Sequence, residues 1–201
     1  MAADFRTELA GYIRREAKPE DKYGHQPRLY ALTQQIGEGT EYDDDVVYAT
    51  AWLHDLGVFV GHRPEDPQKL AHWDHVAYTV ERVHRILELS GFPTDKISAV
   101  VDAIRTHQPH DDPQTIEATI LRDADILEQL GAIGILRGVS KVGRDTRYKT
   151  FTSAVTNLRR CLQELPAKLR LESARKLAEP KVRILQQFLE AVDLEAKPEL
   201  F

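Results

Sequence analysis

The chain of 201 residues is predicted to be all-α, a helical bundle built as one domain, on three observations. Apolar residues recur at helical spacing along nearly its whole length. No alternating run is long enough to found a sheet, Val58-Phe-Val60 being the one short β-like stretch. No segment repeats, so the helices form a compact bundle and not a solenoid. In order, the pattern predicts helices near residues 2–16, 26–37, 43–55, 72–89, 94–107, 114–130, 151–164 and 171–192. The second carries the stripe His25, Leu29, Leu32, Ile36, and the third lies in the apolar run from Val46 to Gly57, with Asp43 to Asp45 supplying a cap or dipole-favoured charge. Thr94 is placed to do the same for the fifth, whose stripe is Ile97, Val100, Ile104, His107. The sixth shows Ile116, Ile120, Asp123, Leu127, Leu130 on one face.

The last two helices show Leu158, Leu162, Leu165 and then Leu177, Val182, Ile184, Leu185, Phe188, with a break at Pro166 and Pro180 inside the final helix. That pattern predicts packing of residues 151–192 against a core of about residues 20–145, with a homodimer seam as the competing reading. The Pro-containing connection Gly61 to Leu70 is expected to be either a lid over a site or a surface loop.

Composition narrows the function classes. With 27 Lys and Arg against 32 Asp and Glu, the net charge is −5, which gives no electrostatic reason to expect nucleic acid or an anionic membrane as partner. The single cysteine, Cys161, excludes an intramolecular disulfide framework and a cysteine-rich zinc site. Its place among Leu158, Leu162 and Leu165 predicts a buried, inert thiol. The start Met-Ala-Ala-Asp-Phe-Arg-Thr-Glu lacks a long apolar stretch, and no segment of spanning length is free of charge, so no membrane association and a cytoplasmic location are expected. There is neither a Gly-x-x-x-x-Gly-Lys-Ser/Thr loop nor a dinucleotide fingerprint.

His54 and Asp55 sit side by side in the apolar run Val46 to Gly57. An unpaired buried carboxylate is costly, so the pair requires either hydrogen-bond partners or a divalent metal. His25 points inward with Leu29 and Ile36, and Asp123 lies mid-stripe among Ile116, Ile120, Leu127 and Leu130, whereas Asp125 falls on a flanking face with Leu121 and Glu128. Asp123 is therefore the better ligand candidate of the two. Two imidazoles and two carboxylates from separate helices suit Mn, Fe, Co, Ni, Mg or Zn. Arg28 follows His25 by one turn, and Arg137, Lys141 and Arg144 follow the glycine-interrupted run Gly131 to Gly138. Such cations at the mouth of a metal pocket would bind a substrate phosphate.

The order His25, His54-Asp55, Asp123, together with Tyr-Gly-His-Gln-Pro-Arg28, Trp-Leu-His-Asp-Leu-Gly57, Ala-Ile-Arg-Thr-His107 and Asp123-Ala-Asp-Ile-Leu-Glu-Gln-Leu-Gly-Ala-Ile-Gly134, resembles the HD-domain superfamily of metal-dependent phosphohydrolases, in a small single-domain branch. The likeness covers roughly residues 20 to 190. It implies metal ligands at His25, His54, Asp55 and Asp123, with His75 and His107 as candidates for a second metal bridged by Asp55 or for binding substrate phosphate. It implies hydrolysis of a phosphoester or phosphoanhydride bond, most plausibly of a nucleotide, by a metal such as manganese. An HD-type di-iron oxygenase and a non-catalytic ligand-binding HD domain are the alternatives. The other histidines, His62, His72, His84 and His110, are expected on the solvated surface.

Overall fold

A computed structural model describes residues 4–144, 148–196 and 200. Among them the chain forms α1 (Phe5–Glu16), α2 (His25–Gly37), α3 (Asp44–Leu53), α4 (Pro67–Ala71), α5 (His75–Ser90), α6 (Ile97–Arg105), α7 (Ile116–Glu128), α8 (Gly131–Val139), α9 (Phe151–Glu164) and α10 (Glu172–Ala196). The described β structure is limited to two isolated bridges, Val60 to Arg63 and Val142 to Tyr148, so the protein is all-α as expected. None of the described helices is long and apolar enough to cross a membrane. The chain divides into two compact units, Met1–Arg122 and Asp123–Phe201.

In the first unit α3 is the central element. Each of its residues from Val46 to Leu53 is buried, because α1, α2, α5 and α6 all pack on it. A helix enclosed this way has no polar face, which is why the run reads as apolar all round. The core joins Leu9 and Ile13 of α1, Val46, Ala49 and Leu53 of α3, Leu56 and Phe59 beyond it, Val83 and Leu87 of α5, and Ile97, Val100 and Ile104 of α6. Burying each such side chain stabilises the fold by about 1.5–3 kcal/mol.

The start of α3 is held as its acidic run suggests. Asp43 caps it, its carboxylate accepting from the Asp45 and Val46 N–H groups. Arg6 of α1 pairs with Asp44 at 2.8 Å and Asp45 at 2.7 Å, and Lys96 reaches Asp43 at 2.8 Å and Asp45 at 3.0 Å. Thr94 does not cap α6. It opens a separate 3-10 turn, Thr94–Lys96, and Lys96 stands at the cap position without a capping bond from its side chain. Asp74 caps α5, which shifts that helix's start to His75. The connection after residue 60 carries the short helix α4, capped by Asp66 with Pro67 at its first turn.

In the second unit α8, α9 and α10 pack on one another. The sequence pattern does not foresee α8, because its glycines interrupt the apolar period. Gly131 explains them in part: its φ of +67° lets the chain turn out of α7 into α8, and a Cβ there would stand 3.0 Å from Lys181 Cβ of α10. A capping box at Thr150 and Ser153 starts α9. Leu158, Cys161 and Leu165 are buried, and so are Ala174, Ala178, Leu185 and Leu189 along α10. That α10 stripe shares Leu185 with the expected one, with Leu177, Val182 and Phe188 half-buried beside it and Ile184 exposed. Burial pushes the Cys161 thiol up from its ordinary value, as befits an inert thiol.

Candidate metal centre

Neighbouring residues of a helix point about 100° apart, so His54 and Asp55 can serve one ion only if the helix ends between them. It does. The α-helix closes at Leu53, His54 keeps helical angles as the C-cap, and Asp55 leaves the helix at φ −98° and ψ 14° before the 3-10 turn Leu56–Val58. The Asp55 carboxylate thereby turns toward the side on which the His54 ring lies.

His25 enters from the first turn of α2. Its Nε2 is 3.4 Å from His54 Nε2, and Asp55 Oδ2 lies 3.6 Å from each of those nitrogens. Donors bound about 2.1 Å from one ion are roughly 3.0–3.4 Å apart, so this triangle is close to the edge lengths that a small divalent ion requires. His54 Nδ1 donates to Ala51 O at 3.2 Å and His107 Nδ1 to Ile104 O at 2.6 Å. A backbone carbonyl on Nδ1 puts the proton there and leaves Nε2 as a lone pair, the arrangement typical of metal-bound imidazole. The donor set therefore fits a divalent metal.

Electrostatics agree. Burial opposes ionisation of Asp55, but the imidazoles of His54, His25, His75 and His107 together hold its carboxyl well below the usual carboxylate range. His54 is fully buried and His25 and His107 nearly so, while the side chains of Asp55 and His75 are 20% and 24% exposed. The centre is thus open to solvent on the Asp55 and His75 side.

His75 and His107 join the group as the sequence suggests. The ligand atoms of His54, Asp55 and His107 lie within 4.8 Å of one another, and His75 Nε2 is 3.9 Å from Asp55 Oδ1. What brings His75 there is Gly57. A Cβ at that position would stand 2.6 Å from His75 O and 2.8 Å from His75 Cα, so the turn after Asp55 can approach the start of α5 only with glycine. The Gly57 N–H donates to Thr79 Oγ1 at 3.2 Å, and Gly57 O accepts from Trp73 Nε1 at 2.8 Å. Gln108, with its amide nitrogen 3.2 Å from His75 Nε2, and buried Arg122, which donates to Gln108 O and Pro109 O, complete this wall. Sequence reasoning assigns none of these supporting residues a role. The glycine following His-Asp-Leu and an arginine within the apolar α7 pattern are the signals that could have found them.

Asp123 is buried in α7, as its stripe requires. Its Oδ2, however, accepts from the backbone N–H groups of Arg170 at 2.9 Å and Leu171 at 2.8 Å, just ahead of α10. The stripe argument does not anticipate this structural use of the carboxylate. Of the basic candidates, Arg137 pairs with the buried Glu128 at 3.3 Å, Arg144 donates to Ser140 O, Lys141 is half-buried, and Arg28 is exposed with its guanidinium folded back toward Gly24. His72, His84 and His110 are exposed as expected. His62 is not: it is 13% exposed, bonded to Glu16 Oε2 at 2.8 Å and to the Tyr78 hydroxyl at 2.9 Å.

Known proteins bear out the fold. YpgQ of Bacillus subtilis, an uncharacterized protein, is 26% identical over 201 aligned positions that cover 96% of this chain and 92% of YpgQ. Its crystal structure superposes with a TM-score of 0.74 at 22% identity, covering 96% of both chains, and its structure in complex with ADP gives 0.73 at 22%, covering 95% and 94%. An HD-superfamily hydrolase from Bacillus thuringiensis gives 0.68 at 19%, covering 96% and 97%. The HD domain matches residues 23–130, more than half of the chain and the stretch holding all four clustered histidines, so the chain belongs to the HD domain family.

Proposed function

We propose that this protein is a metal-dependent phosphohydrolase acting on a small phosphorylated substrate, with a nucleotide as the first class to try. The observation that carries the reading is the donor triangle of His25, His54 and Asp55, with edges of 3.4, 3.6 and 3.6 Å. The ADP complex of YpgQ and the hydrolase from Bacillus thuringiensis support the substrate class and the reaction type.

His25, His54 and Asp55 would hold the ion. Asp123 is left out of this set because its carboxylate already accepts from two backbone amides. When bound, such an ion supplies Lewis acidity, activating water near neutral pH and drawing charge from a phosphoryl oxygen. The chain's own residues do the rest. The Ala51 and Ile104 carbonyls orient the His54 and His107 rings and hold a proton on each Nδ1, which turns Nε2 toward the ion. His75 lines the open side, and Arg28 is an exposed cation one turn from His25. Arg137, Lys141 and Arg144 are secondary candidates for substrate contact.

The test is a panel of nucleoside mono-, di- and triphosphates, incubated with purified protein and Mn, Co, Ni or Mg, with products separated by chromatography. Metal-dependent release of phosphate or pyrophosphate is expected, lost in Asp55→Asn. Metal binding without hydrolysis of any substrate would select a ligand-binding role. Oxygen-dependent substrate loss with two bound irons would select the oxygenase.

A further inference from the structure

The two oxygens of Asp55 face different imidazoles. Oδ2 stands 3.6 Å from both His25 and His54, and Oδ1 stands 3.9 Å from His75 Nε2. A carboxylate placed this way is positioned to bridge two ions, and the His107 ring, 5.9 Å from that of His75 between centroids, borders the same space. The imidazole nitrogen that faces Oδ1 is His75 Nε2, so its lone pair is the one a second ion there would take.

That lone pair is already engaged. Gln108 Nε2 lies 3.2 Å from it, and a carboxamide nitrogen has only N–H to offer, so His75 Nε2 is the acceptor and its proton sits on Nδ1. Gln108 is also fixed in place. Its N–H donates to Asp111 Oδ2 at 2.8 Å, its carbonyl accepts from Arg122 Nε at 3.2 Å, and the next carbonyl, Pro109 O, accepts from Arg122 Nη2 at 2.7 Å. Arg122 is itself buried. The side chain is therefore directed at His75 by a backbone anchored on both sides.

We propose that Gln108 sets the metal count of the centre: by donating to His75 it withholds that imidazole from a second ion on Asp55 Oδ1 and keeps the site mononuclear. The inference rests on the metal-centre reading above. Gln108 acts through His75, as a positioning residue. Partners of this kind typically change metal affinity by about tenfold to a hundredfold.

Apo protein titrated calorimetrically with Mn2+ is expected to take one ion tightly and a second only weakly. In Gln108→Ala the second ion should bind at least about tenfold more tightly, and electron paramagnetic resonance should show a spin-coupled Mn pair absent from the singly loaded wild type. Gln108→Glu, which also removes the donor and adds a carboxylate, should behave the same way and serves if the alanine variant unfolds. Adding His75→Ala to either variant should return the protein to one ion. Two equally tight ions in the wild type, or an unchanged second site in a folded Gln108 variant, would overturn the proposal. A wild type that binds no ion would instead overturn the metal-centre reading itself.

Discussion

The surroundings of His62 and of Asp55, both in the first unit, each set histidine beside a carboxylate, and they differ in what each ring nitrogen meets. Around His62 the pairing is complementary: Nε2 faces the Glu16 carboxylate at 2.8 Å and Nδ1 faces the Tyr78 hydroxyl at 2.9 Å, with Arg82 stacked over the Tyr78 ring at 3.6 Å. Around Asp55, His54 offers a lone pair to another imidazole nitrogen 3.4 Å away, while one carboxylate gathers three imidazoles within 3.9 Å. The first arrangement closes on itself with protons. The second collects lone pairs and negative charge in one place, an arrangement that could hold a cation. Residue type alone does not separate them.

The sharpest way to break the comparison is to remove a ring from each side. His54→Ala should abolish metal-dependent hydrolysis and lower metal affinity by at least about a hundredfold, with helical content by circular dichroism largely retained. Undiminished Mn binding in that variant would erase the distinction drawn above. Gly57→Ala should come next. Its Cβ would meet the His75 backbone at 2.6 Å, so α5 must shift. A loss of about 1–3 kcal/mol in urea unfolding is expected, together with weakened metal binding.

His62→Ala removes two hydrogen bonds from a nearly enclosed site and should cost about 1–3 kcal/mol, while the number of ions bound stays as in the wild type. A drop in metal content there would mean that the two regions are coupled. The smallest effect concerns a carboxylate paired with permanent cations. The Arg6 hydrogen bond, against burial and with help from Lys96, holds the Asp45 carboxyl below its ordinary value. A depressed carboxylate contributes stability above its unfolded value, about 3.9, and that contribution is lost as pH falls through the folded value. Asp45→Asn should therefore be about 0.5–1 kcal/mol less stable than wild type at pH 7. The gap in urea midpoints should narrow steadily as pH falls below the unfolded value, and a gap that stayed constant with pH would show that the effect is not electrostatic.

Much of the site is legible in the sequence, for a definable reason. His54 and Asp55 announce themselves because a polar pair inside an apolar run must be compensated. His25 follows because one stripe carries it inward with Leu29 and Ile36. The Asp43 cap is legible from local chemistry, since a short side chain before a helix bonds the free amides next to it. What the pattern does not disclose has a different character. Asp123 faces inward as its stripe says, yet its partners are the amides of Arg170 and Leu171. His62 looks like a loop histidine until α1 and α5 bring Glu16 and Tyr78 to it. The α8 helix hides behind glycines whose reason lies in part in α10.

The sequence by itself determined the helical class, the ends of most helices and the presence of an inward-facing His-Asp centre, because periodicity and capping are properties of neighbours along the chain. Only the tertiary structure decided which carboxylates and imidazoles share one space, that Gly57 admits the start of α5, and that Gln108 occupies the His75 lone pair. A helical period reports which face turns inward and is silent on what that face meets. The meeting depends on residues tens of positions away, so the chemistry of a site is settled only when the chain has closed around it.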